Sequence, residues 1–107
     1  MNYNYYIAQN NYLKQLLHYR RNPEVREEAL RITKSLKLQK KEIEREYVGK
    51  RFSQDDPGFK QVRFGTILAF SRMCDNMFFR GPIFKVKIDG QHILDEVNIQ
   101  SGFVKFL

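Results

Sequence analysis

The sequence has 107 residues, enough for one domain with a modest core, and its hydrophobic fraction of 42% excludes a disordered chain. A net charge of +7 and an isoelectric point near 9.7 favour an anionic partner: nucleic acid, an acidic protein surface or anionic lipid headgroups. Apolar runs stay far below the roughly 18 residues of a membrane span, so no membrane span is expected.

The cysteine content and the N-terminal residues indicate the cellular compartment in which the protein is expected. Cys74 is the single cysteine, so no intramolecular disulfide can form and a reducing compartment is expected. The first six residues contain neither the charged n-region nor the apolar h-region of a secretory signal peptide. We therefore expect an intracellular, cytoplasmic protein. A composition rich in Asn, Lys and Tyr is also typical of AT-rich genomes, which suggests a phage or a mobile element.

Residues 1–48 are predicted to form a hairpin of two helices. The first helix is expected over residues 5–20, where one face carries Tyr6, Gln9, Leu13, Leu16 and Leu17. The second is expected over residues 23–47, because Asn22 is a favoured N-cap and Pro23 a favoured first helical residue. Its stripe has spacings of four and three: Val25, Ala29, Ile32, Leu36, Ile43 and Tyr47, with Gln39 in the gap. Only two residues connect the two predicted helices, and so short a connection implies that the helices lie antiparallel to each other.

Residues 49–58 are predicted to form a loop that leads into a third helix ending near residue 76. Asp56 would be the N-cap of this helix and Pro57 its first residue. Steps of three and four then separate Phe59, Val62, Thr66, Phe70, Met73 and Met77. An alternating pattern also fits two strands, residues 62–64 and 67–70, and Gly65 weakens either interpretation. We favour the helix.

The C-terminal residues are predicted to form β-structure. Residues 83–88 and 91–94 flank an Asp-Gly pair, which is a favoured type I′ turn for a two-residue hairpin. In this register Val86 faces Ile93. One face then carries Phe84, Val86, Ile88 and Ile93, and the other carries Lys85, Lys87 and His92. Residues 103–106 could add a third strand, because a lone hairpin is only marginally stable.

Together these elements predict an α+β fold in a single domain, residues 1–107. The helical hairpin would occupy residues 1–48 and a packed α+β body residues 59–107. Aromatic usage supports this division, because all six tyrosines lie at or before Tyr47 and all nine phenylalanines at or after Phe52. Three helices followed by a β-hairpin is also the element order of many winged-helix domains, an analogy of fold only. In that version Lys85 and Lys87 would lie on the wing.

Basic residues concentrate on one face of the predicted second helix. Residues 14–51 contain twelve Lys/Arg and six Asp/Glu, whereas the rest of the chain contains seven and six. At about 100° per residue, four other cations of this helix lie within about 60° of Lys34, opposite the apolar stripe. Such a face can follow a nucleic-acid backbone through phosphate contacts. The predicted nucleic-acid-binding residues are Arg31, Lys34, Lys37, Lys41, Arg45, Lys50 and Arg51, with Lys85 and Lys87 from the β-hairpin.

Two leucines and several tyrosines favour a protein partner instead. Leu30 and Leu38 lie about 40° from Lys34, among the cations and away from the apolar stripe. Phosphates make no use of leucine, so these two residues suit a groove on a protein partner or a wider core. Tyr12 and Tyr19 extend this predicted protein interface, since tyrosine is enriched at interfaces. The N-terminal tyrosines could equally stack on unpaired bases or cover the helix pair.

The sequence contains no recognisable catalytic or metal-binding pattern. His18 and His92 lie in different halves of the chain and Cys74 stands apart, so the spacing of a metal site is missing. Neither a glycine-rich phosphate loop nor a serine or cysteine triad pattern is present. We therefore predict a non-enzymatic protein without a cofactor or a metal ion.

Two functions from different classes fit these observations. The first is a small basic accessory protein that binds DNA, RNA or a nucleoprotein complex through phosphate contacts from a helix face. The second is a protein-interaction module that binds an acidic surface. It would be a subunit of a larger assembly, an inhibitor of a nucleic-acid-processing enzyme, or a homodimer formed through the helical hairpin. We favour the first function, because the cations are segregated from the core stripe.

Overall fold

The computed structural model describes residues 3–76 and 80–107. Two helices are followed by a five-stranded antiparallel sheet, so the α+β class is confirmed. The helices are α1 Tyr3–Leu17 and α2 Pro23–Tyr47. The strands are β1 Arg51–Gln54, β2 Arg63–Asp75, β3 Arg80–Ile88, β4 Leu94–Asn98 and β5 Val104–Phe106. Contacts divide the chain into two units, Met1–Glu42 and Ile43–Leu107.

The start of α2 agrees with its predicted capping signal. The side-chain oxygen Oδ1 of Asn22 accepts a hydrogen bond from the backbone N–H of Glu24 at 3.0 Å, and Pro23 is the first helical residue. The helix ends at Tyr47, as its pattern predicts. In the first unit the predicted stripe is buried at Ala29, Ile32 and Leu36.

α1 ends earlier than the sequence predicts. Its last residue is Leu17, not residue 20, and the backbone N–H groups of His18 and Tyr19 bond to carbonyls three residues back, at 3.2 and 2.9 Å. This tighter pattern is typical of a helix end. Leu17 was expected on the apolar face but is 48% exposed, whereas Ile7 is buried. The inward face of α1 therefore includes Ile7 and not Leu17.

A polar contact joins the two helices of the first unit. The side-chain oxygen Oε1 of Gln9 accepts a hydrogen bond from Ser35 Oγ at 3.2 Å and another from Gln39 Nε2. The middle of α1 thus lies against the middle of α2. The two helices of the predicted hairpin are therefore in contact.

The second unit is built on an antiparallel sheet with the strand order β4-β3-β2-β1-β5. Residues directly opposite one another on neighbouring strands lie on the same face of a sheet. The pairing defines an inner face with Phe52, Gly65, Ile67, Phe70, Phe84, Val86, Ile88 and Val97. The last turn of α2 supplies Tyr47, whose ring centroid lies 5.3 Å from that of Phe84 and 5.6 Å from that of Phe106.

The predicted third helix is wrong, because β2 occupies most of residues 57–76. Register shifts lie between Ile67 and Ala69 and between Phe70 and Arg72, and each adds one residue to β2. Inner-face residues of β2 are therefore two, three and three positions apart: Gly65, Ile67, Phe70 and Met73. This spacing imitates a helix. The described residues contain two helices, so the winged-helix order is not confirmed, and Met77 lies outside them.

The predicted β-hairpin forms in a different register. Val86 pairs with Asp95 instead of Ile93, which lies outside β4 and is 79% exposed. The shift amounts to two residues, so the same side chains of β3 still face the core, as the period of a strand requires. Asp95 thus occupies the position predicted for Ile93, and the buried apolar side chain of β4 is Val97, which pairs with Phe84.

The predicted type I′ turn is also wrong. Such a turn needs a positive φ at both central residues. Gly90 has a φ of 83°. The φ of Asp89 is not positive, because positive φ angles among the described residues occur only at glycines. The backbone N–H of Asp89 instead donates a hydrogen bond to the carbonyl of Phe64 on β2, at 2.8 Å. This hydrogen bond to β2 therefore fixes the backbone position of Asp89.

The predicted loop over residues 49–58 contains β1, which pairs with both β2 and β5. β1 is four residues long, and Phe52 is its single apolar residue, so no alternating pattern marks it. The strand predicted over residues 103–106 is confirmed as β5, although its partner is β1 and not the β-hairpin. Pairing between segments far apart in sequence therefore completes the sheet.

Candidate nucleic-acid interface

Four predicted site residues lie on the first unit, on the outer face of α2. We call Arg31, Lys34, Lys37 and Lys41 the basic ridge. All four are exposed, and at about 100° per residue they span about 120° of the helix circumference. The buried stripe lies on the opposite side. The helix therefore holds these cations in one outward direction, as the sequence predicts.

The members of the basic ridge differ in how far their charge is neutralised. Arg31 forms an ion pair and two hydrogen bonds with Glu28, one turn earlier. The hydrogen bond and the negative charge of Glu28 raise the pKa of Arg31 above its usual value. Within the described part of the chain, Lys34, Lys37 and Lys41 form no ion pair. Three ammonium groups are therefore free to bind an anionic ligand.

One acid on this face was missed by the sequence analysis. Glu27 is exposed and lies about 20° from Lys34 on the helix circumference, two turns before it. Its carboxylate lowers the positive potential at the N-terminal end of the basic ridge. The strongest anion attraction is therefore expected toward Lys37 and Lys41.

The predicted protein-interface residues are exposed too. Leu30 and Leu38 are each 63% exposed, so they do not belong to a wider core. Tyr12 is 44% and Tyr19 70% exposed. Leu30 also lines a groove of about 220 Å³ whose other walls are Leu17, Arg20, Arg26, Ala29 and Thr33. Apolar and basic side chains thus alternate on this surface of the first unit.

The remaining predicted cations belong to the second unit, and two of them have internal partners. The Arg51 guanidinium donates hydrogen bonds to the Asp89 carboxylate at 2.8 Å and to Thr66 Oγ1 at 3.0 Å. The hydrogen bond from Arg51 lowers the pKa of Asp89. The Nζ of Lys50 lies 5.4 Å from the ring centroid of Tyr47, within reach of a cation–π interaction. These two cations therefore contribute to the fold of the second unit.

Arg45, Lys85 and Lys87 are exposed in the second unit. Lys85 and Lys87 extend from the outer face of β3, between β2 and β4. They do not lie on a free wing, because β3 is an interior strand of the five-stranded sheet. The predicted cations are thus divided between the two units, and those of the second unit lie on different elements of the fold.

An internal ion pair of the second unit was also missed. Arg63 has a side chain only 12% exposed, and it pairs with Asp95 on β4. Its guanidinium carbon lies 4.3 Å from the ring centroid of Phe59. Charge and pattern could not show this pair, because 32 positions separate the two residues in the sequence.

The Arg63–Asp95 pair gives a testable pH dependence. The hydrogen bond from Arg63 lowers the pKa of Asp95, and the backbone N–H of Glu96 adds to this effect at 2.8 Å. A carboxyl whose folded pKa is below its unfolded value stabilises the fold above the unfolded pKa, and this stability disappears as pH falls through the folded pKa. Asp95→Asn should therefore unfold more readily than the wild type at pH 7, by urea titration.

The difference in unfolding free energy should shrink as pH falls below about 4, where the Asp95 carboxyl of the unfolded chain takes up its proton, and should disappear once the folded carboxyl is protonated too. A difference that stays constant between pH 7 and about pH 2.5 would show that the Asp95 charge contributes nothing to stability.

No family model matches this chain, and neither a curated protein nor a solved structure is significantly similar to it. Among residues 3–76 and 80–107, no helix is long and apolar enough to cross a membrane. The same residues contain no group of three or more His, Cys, Asp or Glu side chains that could hold a metal ion.

Proposed function

We propose that the protein is a small, non-enzymatic accessory protein that binds nucleic acid through phosphate contacts from the basic ridge. One observation carries this proposal: Lys34, Lys37 and Lys41 are exposed together on one helix face, and no described acid pairs with them. Contacts of this kind position a protein on the backbone without reading the base sequence. We therefore expect binding of low sequence specificity.

The length of the basic ridge suits a short run of phosphates. Arg31 and Lys41 are ten positions apart, which corresponds to about 15 Å at a rise of about 1.5 Å per residue. Phosphates of one strand lie about 3.4 Å apart along a duplex axis. The ridge therefore matches about four successive phosphates, and its three unpaired lysines would form most of the contacts.

Fluorescence anisotropy with labelled oligonucleotides tests the proposal. Single-stranded DNA, duplex DNA and RNA of about 20 nucleotides would be titrated with the protein near 100 mM salt. We expect dissociation constants of roughly 10⁻⁴ to 10⁻⁶ M, the range of non-specific binding, and weaker binding as salt rises. Absence of binding to all three ligands up to about 10⁻⁴ M protein would sink the proposal.

The exposed leucines favour a second candidate, a protein-interaction module. Leu30 and Leu38 are each 63% exposed beside cations, as a groove on an acidic protein partner would require. Tyr12 and Tyr19 would enlarge that interface, and the partner would be an assembly, a nucleic-acid-processing enzyme or a second copy of this chain. The cations would then orient the partner and speed its association.

Light scattering addresses the version with a second copy. A monomer has a mass of 12.9 kDa, and a stable homodimer would have twice that mass. If the homodimer forms through the helical hairpin, Leu30→Ser with Leu38→Ser should return it to the monomer mass. A monomer at every concentration up to about 10⁻⁴ M would exclude a dimer of micromolar affinity.

A further inference from the structure

We propose that the strand bound by the basic ridge is single-stranded, and that Tyr5 and Tyr12 of α1 stack against its bases. This inference rests on the proposed function and names the form of nucleic acid that the same surface takes. It concerns the first unit alone. The tyrosines, the basic ridge and the contact between the two helices all belong to that unit.

Tyr5 and Tyr12 form a row of accessible rings on α1. They are 61% and 44% exposed, although a tyrosine that only covered a helix pair would bury most of its ring. Seven positions separate them, so they lie within about 20° of the same direction and about 10.5 Å apart along the helix. The row therefore offers two separate stacking positions.

Hydrogen bonds place this row beside α2. The Nε2 of Gln9 donates to the Tyr5 hydroxyl at 3.0 Å, while its Oε1 accepts hydrogen bonds from Ser35 and Gln39. Gln9 thus ties the Tyr5 side chain to the flank of α2 that carries Ser35. On the α2 circumference, Arg31 lies about 40° from Ser35, on the side toward the basic ridge.

Arg31 connects the two rows. Its charge interacts with the hydroxyls of Tyr12 and Tyr5, which contribute, after Glu28, to its raised pKa. The Gln9 hydrogen bonds and this electrostatic interaction together place the tyrosine row on the side of the first unit that carries Arg31. Phosphates on the ridge and bases on the tyrosines could belong to one and the same strand.

Proteins that bind single strands without sequence preference combine these two features. A row of cations follows the backbone, and aromatic side chains stack on successive bases, which is independent of sequence because every base has a π-face. A duplex keeps its base faces inside the stack and out of reach of Tyr5 and Tyr12. The same surface should therefore bind a single strand more tightly than a duplex.

The test compares a single strand with its own duplex near 100 mM salt, by fluorescence anisotropy. Wild-type protein should prefer the single strand. Tyr5→Ala with Tyr12→Ala should weaken single-strand binding at least about 25-fold, because each stacked base contributes about 5-fold or more. Its affinity for the duplex should stay the same. Tyr5→Phe with Tyr12→Phe keeps both rings and should retain the preference.

Phe103→Ala is the matched control, because Phe103 is also an exposed aromatic side chain, at 40%, but belongs to the second unit. It should bind the single strand like the wild type. A second readout needs no variant. The sequence contains six tyrosines and no tryptophan, so stacking should quench the intrinsic fluorescence when a single strand is added.

Each outcome separates the two proposals. Equal affinity for single strand and duplex, unchanged in the Tyr→Ala variant and without quenching, overturns the stacking inference and leaves phosphate binding by the basic ridge intact. A preference for the duplex also overturns it. Failure to bind either ligand removes both proposals. If the Tyr→Ala variant does not fold, the wild-type preference and the quenching still decide the matter.

Discussion

Lys34→Glu, Lys37→Glu and Lys41→Glu combined in one variant are expected to weaken nucleic-acid binding at least about 100-fold near 100 mM salt. The variant loses three phosphate contacts and sets three carboxylates against the backbone. All three positions are exposed on α2, and no described acid pairs with them, so the fold should tolerate the change. Fluorescence anisotropy would measure the loss, and circular dichroism would verify the helix content.

A charge-matched control separates the basic ridge from the total charge. Lys14→Glu, Lys40→Glu and Lys60→Glu alter the net charge equally, at exposed positions off the ridge. Lys40, for example, lies about 120° from Lys34 on α2. We expect this control to lose far less affinity than the ridge variant. An equal loss in both variants would contradict a defined ridge and indicate attraction by diffuse charge.

Gly65→Ala is expected to destabilise the fold by about 2–3 kcal/mol, a large effect for one methyl group. A Cβ at this position would lie 2.7 Å from the carbonyl oxygen of Lys87 and 2.8 Å from the Phe52 ring. The first is backbone of the neighbouring strand, and the second belongs to a fully buried side chain, so neither can move cheaply. Thermal unfolding should show a midpoint lowered by roughly 10–20 °C.

Gly58→Ala provides the comparison for this prediction. The nearest atom to a Cβ at Gly58 is the Asp56 side-chain oxygen at 3.3 Å, the end atom of a side chain and not part of the backbone. The unfolding free energy of the Gly58→Ala variant should therefore stay within about 0.5 kcal/mol of that of the wild type. Equal stability of the two variants would mean that the close approach of β1, β2 and β3 at Gly65 does not exist.

Features set by neighbours in sequence could be predicted. Asn22 and Pro23 mark the start of α2 because capping depends on residues two or three positions away, and the hydrogen bond to Glu24 confirms it. The exposure of the basic ridge could likewise be predicted from one helix alone. The exposure of Leu30 and Leu38 could be predicted in the same way, from their positions on this helix.

Features set by distant pairing could not be predicted. The bulges of β2 give it a helix-like spacing of apolar residues, which favoured a helix over the two short strands that the sequence also allowed. Its pairing with β1 and β3 shows one long strand instead. The register of the β-hairpin depends on Asp89, which is held by Phe64 and Arg51 from other strands. For the same reason, the neutralisation of Arg51 by Asp89, 38 positions away, was not visible in the charge pattern.

The salt dependence of single-strand binding tests the central claim most directly. Each phosphate contact to a single strand adds about −0.7 to the slope of log K against log salt concentration. Three unpaired lysines and the partly neutralised Arg31 therefore predict a slope of about −2 to −3, which should fall toward zero in the triple Lys→Glu variant. Binding of the wild type that does not change with salt concentration would contradict phosphate recognition by the basic ridge.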